Sequence, residues 1–232
     1  MEEDGNERQT ECHRCGTCCM KGGPALHGED LPLLTEGIID TSHVYTLREG
    51  EIVRNTDDRL MRLEQEIIKI KGDGQNTWAC LFYDSHAQAC RIYTRRPVEC
   101  RSLQCWDPGP LYEAMKLPYI RRTRLLEPED EIRKIITAHE ARCAYSSMEK
   151  AVQALGGDTP DRAVHRILDM LHYDHVVRTV VPEKLNIAPD MLDFLFGRPM
   201  CETIQMYGFQ VLREGDGFRL VPLKQSPEKS ST

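Results

Sequence analysis

The chain has 232 residues, a formal net charge of -7, 40% hydrophobic and 6% aromatic residues, and ten cysteines. That length can bury a core without disulfide staples, and the acidic excess argues against a general surface for nucleic acid or anionic membrane, because both reward a basic one. No run approaches the roughly 20 apolar residues of a membrane span, and the opening MEEDGNERQT is unlike a signal peptide, so a cytoplasmic protein is expected.

In a reducing cytosol, clustered cysteines read as metal sites or redox thiols rather than as a disulfide framework. Residues 1–11 are polar and without periodicity, which predicts a disordered start. Cys12, Cys15, Cys18 and Cys19 follow in Cys-x2-Cys-x2-Cys-Cys spacing, with Gly16, Gly22 and Gly23 permitting tight turns whose N–H groups point at sulfur. In GPALHGEDLPLLTEG, Asp30 is expected to cap a short helix that Gly37 stops.

EGEIVRN and EIIKIKG read as strands, and TDDRLMRLEQ between them as one or two helical turns. Residues 66–93 read as a small antiparallel meander whose later strands, TWACLFYD and ACRIY, present Cys80 and Cys90. PVECRSLQCW reads as a short helix with Pro97 in its first turn. Cys100 and Cys105 lie about 140° apart on an ideal helix, so either the helix ends before Cys105 or the two serve different sites.

From Glu127 the composition turns helical. PEDEIRKIITAHEARCAYSSMEKAVQALGG reads as one long amphipathic helix with His139 and Cys143 on its inner face, followed by a helix over Pro160–Val180. APDMLDFLFG and PMCETIQMYG read as short helices closed by glycine, FQVL and FRLVPL as a hairpin, and residues 225–232 as a disordered tail. The expected fold is α+β, mostly helical with a small antiparallel meander and a C-terminal hairpin. It divides into a cysteine-cluster metal-binding domain at residues 12–125 and a helical region at 126–224.

Thiolates are soft, strongly donating ligands, and four of them suit zinc or the iron of an iron-sulfur cluster. The eight early thiols, Cys12, Cys15, Cys18, Cys19, Cys80, Cys90, Cys100 and Cys105, make two four-ligand sites, with Cys143 a ninth candidate metal ligand. Adjacent side chains do not easily share one small site, so Cys18 and Cys19 either serve different centres or one of them is spare. A partition that joins Cys12, Cys15 and Cys18 to one late thiol, and Cys19 to the rest, is compatible with the spacing. Cys201 reads as a small hydrophobe, His139 as a weak partner for Cys143, and His165, His172 and His175 as core or surface groups. Arg121, Arg122 and Arg124 read as a solvated basic face.

CHRCGTCC, then CLFYD, then CRIYTRRPVECRSLQC resembles the YkgJ family of CxxCxxCC cysteine-cluster proteins, described as a zinc- or iron-chelating domain. The resemblance covers about residues 12–106 and implies chelation by the eight early thiols, with Arg96, Pro97 and Arg101 framing them. Members are labelled iron-sulfur oxidoreductases, and a related cluster occurs in a flagellin lysine methylase. The expected function is metal chelation, with one or two iron-sulfur clusters, 4Fe-4S ahead of 2Fe-2S, for electron transfer or redox sensing with a protein partner. The alternatives are a structural zinc protein acting through protein contacts and a methyl-transferring enzyme.

Overall fold

The computed structural model describes residues 12, 14–55, 59–74, 78–215 and 217–223. The expected disordered segments, 1–11 and 225–232, lie outside them. In chain order the elements are α1 (Leu31–Thr35), β1 (Val44–Leu47), β2 (Ile52–Arg54), β3 (Leu60–Arg62), β4 (Ile67–Ile70), β5 (Tyr83–Asp84), β6 (Ala89–Cys90), α2 (Val98–Ser102), α3 (Gly109–Ala114), α4 (Glu131–Arg142), α5 (Tyr145–Gln153), α6 (Pro160–Leu185), α7 (Leu192–Phe196), α8 (Met200–Thr203), β7 (Phe209–Glu214) and β8 (Gly217–Pro222). The strands form two-stranded sheets, β1 with β4, β2 with β3, β5 with β6 and β7 with β8. The fold is α+β, and the C-terminal hairpin forms as expected, with Phe209 opposite Pro222 and Glu214 opposite Gly217. Among the described residues no helix is long and apolar enough to cross a membrane.

The chain divides into two compact units. One holds the described residues up to Tyr45 together with Ile67–Arg124, and the other holds Thr46–Glu66 together with the described residues from Leu125 onward.

In the first unit, Ile68 and Ile70 on β4 are buried while Ile67 and Lys69 are only partly so, the alternation of a half-buried strand. The expected meander forms only in part. β4 pairs with β1, Cys80 sits on an isolated antiparallel bridge to Gly72 rather than in a strand, and within residues 66–93 β5 and β6 make the hairpin. Two-residue strands flanked by turns are too short to extend a ladder, and the Cys80 N–H is spent instead on Cys19 O.

Asp30 does not cap α1. It is fully buried and accepts from His27 N at 3.0 Å and Val98 N at 2.8 Å, so it satisfies a free first-turn N–H of α2 from across the unit. Gly23 packs on β4 so closely that an added Cβ would stand 2.3 Å from the Ile70 carbonyl oxygen. Because that obstacle is backbone, Gly23→Ala is expected to destabilise the protein by about 1–3 kcal/mol in urea unfolding, the scale of an overpacked interior. Gly22→Ala, whose Cβ meets nothing nearer than 3.7 Å, is the comparison that separates crowding from the left-handed φ.

In the second unit, Leu60–Arg62 is a strand rather than helical turns, pairing with β2 so that Ile52 faces Arg62. The long helix expected through Cys143 is broken into α4 and α5. Cys143 is the C-cap of α4, and the buried Arg48 donates to its carbonyl at 2.8 Å, satisfying an oxygen that a continuing helix would have consumed. The second helix runs on past Val180 to Leu185, because Val181 still buries and Pro182 is accommodated inside the last turn. α7 and α8 end as expected at Gly197 and, after a 3₁₀ turn, at Gly208, both with φ near +80°. The core of this unit is Cys143, Tyr145, Met148, Ile167, Leu171 and Met200, with Phe209 and Leu220 of the hairpin packed against it.

Candidate metal centre

The eight early thiols line one cavity of about 340 Å³ in the first unit. Each arrives on a different local device. Gly16 turns the Cys12–Cys19 loop with φ of +78°, and its missing side chain admits the Tyr83 phenol, which an added Cβ would meet at 2.0 Å. The loop then closes into a 3₁₀ turn, Cys19–Lys21, with Met20 N donating to Gly16 O at 2.9 Å. Cys80 is tied to this turn by its own N–H, which donates to Cys19 O at 2.7 Å. Cys90 stands opposite Tyr83 in the β5–β6 hairpin, and Cys100 lies in the middle of α2. α2 ends at Ser102, so Cys105 leaves the helix and turns back independently, which resolves the angular conflict between the two thiols.

Two acidic side chains hold α2 in place. Asp30 anchors its first N–H, and Glu99 accepts from Ala25 N at 2.9 Å and from His27 Nε2 at 3.0 Å. His27 is fully buried, with Nδ1 directed at Leu117 O, 2.9 Å away, and its ring 4.5 Å from that of Tyr119. Both ring nitrogens face acceptors, so the imidazolium satisfies both and the neutral ring only one. Burial works against the charge, yet the bonds to Glu99 and Leu117 outweigh it and raise the His27 pKa. A raised folded pKa gives stability that is complete below the unfolded value of about 6.5 and is lost as pH rises through the folded value. Stability is therefore expected to fall with rising pH above neutrality, and His27→Gln should flatten that slope in a urea-unfolding series.

The thiols differ in depth. Cys80 is buried, Cys15 and Cys105 are exposed, and the others are intermediate. Cys18 and Cys19 place their sulfurs 3.9 Å apart. The hydrogen bond between them lowers the pKa of Cys18 and pushes that of Cys19 up. Burial raises Cys80 and Cys100, while a hydrogen bond from Thr17 lowers the exposed Cys15. Peptide N–H groups also point at sulfur, as with Arg14 N, 3.4 Å from Cys12 Sγ.

Among the described residues no three His, Cys, Asp or Glu side chains converge tightly enough to hold an ion as they stand. The sulfurs line a wall rather than meet at a point. The donor set nevertheless fits a thiophilic metal, since among the described residues the one carboxylate in the wall is Glu99, whose oxygens are both engaged. Arg96, Pro97 and Cys100 are also in the wall, and Arg101 Nη1 donates to Arg96 O at 2.7 Å, which bears on the framing expected of these residues.

Cys143 does not line this cavity. It is fully buried in the core of the second unit with its sulfur 3.5 Å from Met170 O, and burial pushes its thiol up to about 12. His139 turns to Asp174, with Nε2 2.8 Å from the carboxylate. Cys201 is exposed rather than buried. His165 Nδ1 faces Asp161 O, and His172 and His175 pack edge-on to Phe218. Arg122 is buried, not part of a solvated face. Sequence reasoning missed His27, Glu99 and Asp30. The one available signal was Glu99 directly before Cys100, since a pairing of residues some 70 positions apart has no local pattern.

Neither a curated protein nor a solved structure shows significant similarity to this chain. The sequence model of the CxxCxxCC family, described as a putative zinc- or iron-chelating domain, matches residues 11–144. The match takes in all eight cavity thiols and more than half of the chain, and the chain belongs to the CxxCxxCC family.

Proposed function

We propose that this protein binds metal through the eight cavity thiols as one or two iron-sulfur clusters, and uses them for electron transfer or redox sensing. The observation that carries the reading is the gathering of eight thiols from five separate segments around one largely apolar cavity. Burial and N–H groups directed at sulfur are the levers by which a protein sets the potential of such a cluster. The partition that goes with this reading joins Cys12, Cys15 and Cys18 to one late thiol, taken here as Cys105, and Cys19 to Cys80, Cys90 and Cys100. This partition puts the adjacent Cys18 and Cys19 in different centres.

When bound, the cluster supplies a one-electron couple. The chain's own groups do the rest: His27, Glu99 and Asp30 fix α2, Gly16 shapes the first loop, and apolar side chains limit water. The test is elemental analysis and absorption of protein purified without oxygen. Iron with matching acid-labile sulfide, and a broad visible band that bleaches on reduction, is the expected result. Colourless protein with one or two zinc ions would replace it with a structural zinc centre, whose closed four-thiolate sites hold loops together.

A further inference from the structure

The loop that brings four of the eight thiols is tied weakly to the rest of its unit. Among the described residues, one hydrogen bond from Arg14–Cys19 reaches past the adjoining 3₁₀ turn, that from Cys80 N to Cys19 O. Packing therefore seats the loop, and it does so at two points. The exposed Arg14 stands over the Tyr93 ring, 4.3 Å from its centroid, a contact that is weak where water reaches it. The buried Gly16 lies under the outer edge of the Tyr83 ring, where an added Cβ would meet Oη at 2.0 Å, Cζ at 2.4 Å and Cε2 at 2.7 Å. Tyr83 in turn stands directly opposite Cys90 in the β5–β6 hairpin, and residues directly opposite share one face. Its own N–H donates to Cys80 O at 2.8 Å.

One ring thus touches the loop of Cys12, Cys15, Cys18 and Cys19 while its backbone is joined to Cys80 and Cys90. We propose that Tyr83 is the positioning residue of the metal centre. Its ring, seated on Gly16, holds the loop against the segment of Cys80 and Cys90, so that both groups of thiols share one cavity before any metal is bound. Ligands ordered in advance spare the cost of ordering them on binding. The proposal deepens the metal-centre reading and rests on it for the loaded protein.

The first experiment follows metal retained by the full, metal-replete chain against rising concentrations of a chelator. Tyr83→Phe, which keeps the ring, is expected to retain metal within about twofold of wild type, and Tyr83→Ala to hold it at least about tenfold more weakly. The obstacle at Gly16 is the end of a side chain, so Gly16→Ala pushes the ring off its seat. The double variant should then match Gly16→Ala alone within about threefold, whereas independent effects would multiply. The second experiment alkylates the metal-free full chain with iodoacetamide and maps the products by mass spectrometry. Cys18 and Cys19 are expected to react at least about tenfold faster in Tyr83→Ala than in wild type, with Cys143, fully buried in the other unit, unchanged.

Wild-type metal retention by Tyr83→Ala, or effects that multiply, overturns the proposal. So does a parallel rise at Cys143, which would make the ring a support of the whole fold. If Cys143 of the metal-free wild-type chain reacts as fast as it does in urea, the chelator series decides. A wild-type chain that holds no metal yet shows the selective alkylation overturns the metal reading and keeps this one, and without that selectivity both fall.

Discussion

Cys100→Ser is expected to remove one whole centre, halving the bound metal and lowering the thermal midpoint of the first unit. Cys100 sits mid-helix on α2, which Asp30 and Glu99 pin from both sides, so no neighbouring thiol can slide into its place. A serine hydroxyl is a harder donor that stays protonated at neutral pH and does not replace a thiolate toward zinc or iron. Because ligand binding and folding are coupled in thiolate centres, losing one removes folding free energy of several kcal/mol. Cys18→Ser should have a similar effect on the other centre of the proposed partition. Cys201→Ser, at an exposed position, should leave metal content unchanged, as should Cys143→Ser, which instead costs about 1–3 kcal/mol by placing a hydroxyl among Met148, Ile167 and Leu171. Metal analysis on the four purified variants, with unfolding curves alongside, separates these outcomes. Full metal in Cys100→Ser would sink the assignment of that thiol.

Asp174→Ala is expected to be the most damaging substitution in the second unit, costing about 3–5 kcal/mol in urea unfolding with no change in bound metal. Asp174 is 2% exposed and collects His139 Nε2 at 2.8 Å, Arg178 Nε at 3.1 Å and Met200 N at 3.0 Å. Its removal leaves the buried His139 ring and the first N–H of α8 without their acceptor and takes from the half-buried Arg178 one of its two carboxylates, the other being Asp193. Burial raises the Asp174 pKa, but the bond from His139 and the charge of Arg178 outweigh it and hold the carboxyl below its ordinary range. The resulting stability is present above the unfolded value of about 3.9 and is lost as pH falls through the folded value. His139 adds to this in the same direction. Burial lowers its pKa, so its contribution declines as pH falls below about 6.5, opposite in sign to that of His27. Asp174→Asn should recover part of the loss, since it keeps an acceptor for His139.

The thiols were legible in the sequence because residue type and local spacing stand out together, with four of them between Cys12 and Cys19 in a single loop. The same holds for Ile68 and Ile70, whose two-residue period shows on which face β4 is buried. What escaped was decided over long separations. Leu60–Arg62 has no strong local preference and becomes a strand because β2 offers it a partner. The break at Cys143 depends on Arg48, 95 positions away, reaching the carbonyl. Asp30 has the composition of a helix cap, yet the more valuable partner is Val98 N, 68 positions on, and tertiary demand overrides the local motif. The role of Glu99 was hidden for a similar reason, since its partner His27 lies 72 positions earlier.

The most direct test of the eight-thiolate centre is metal-edge X-ray absorption on the purified, metal-replete protein. The account predicts a first shell of about four sulfurs per metal at about 2.3 Å and no nitrogen or oxygen ligand. A shell containing nitrogen or oxygen at about 2.0–2.1 Å would mean that histidine, carboxylate or water completes the site, and would contradict a centre built from the cavity thiols alone.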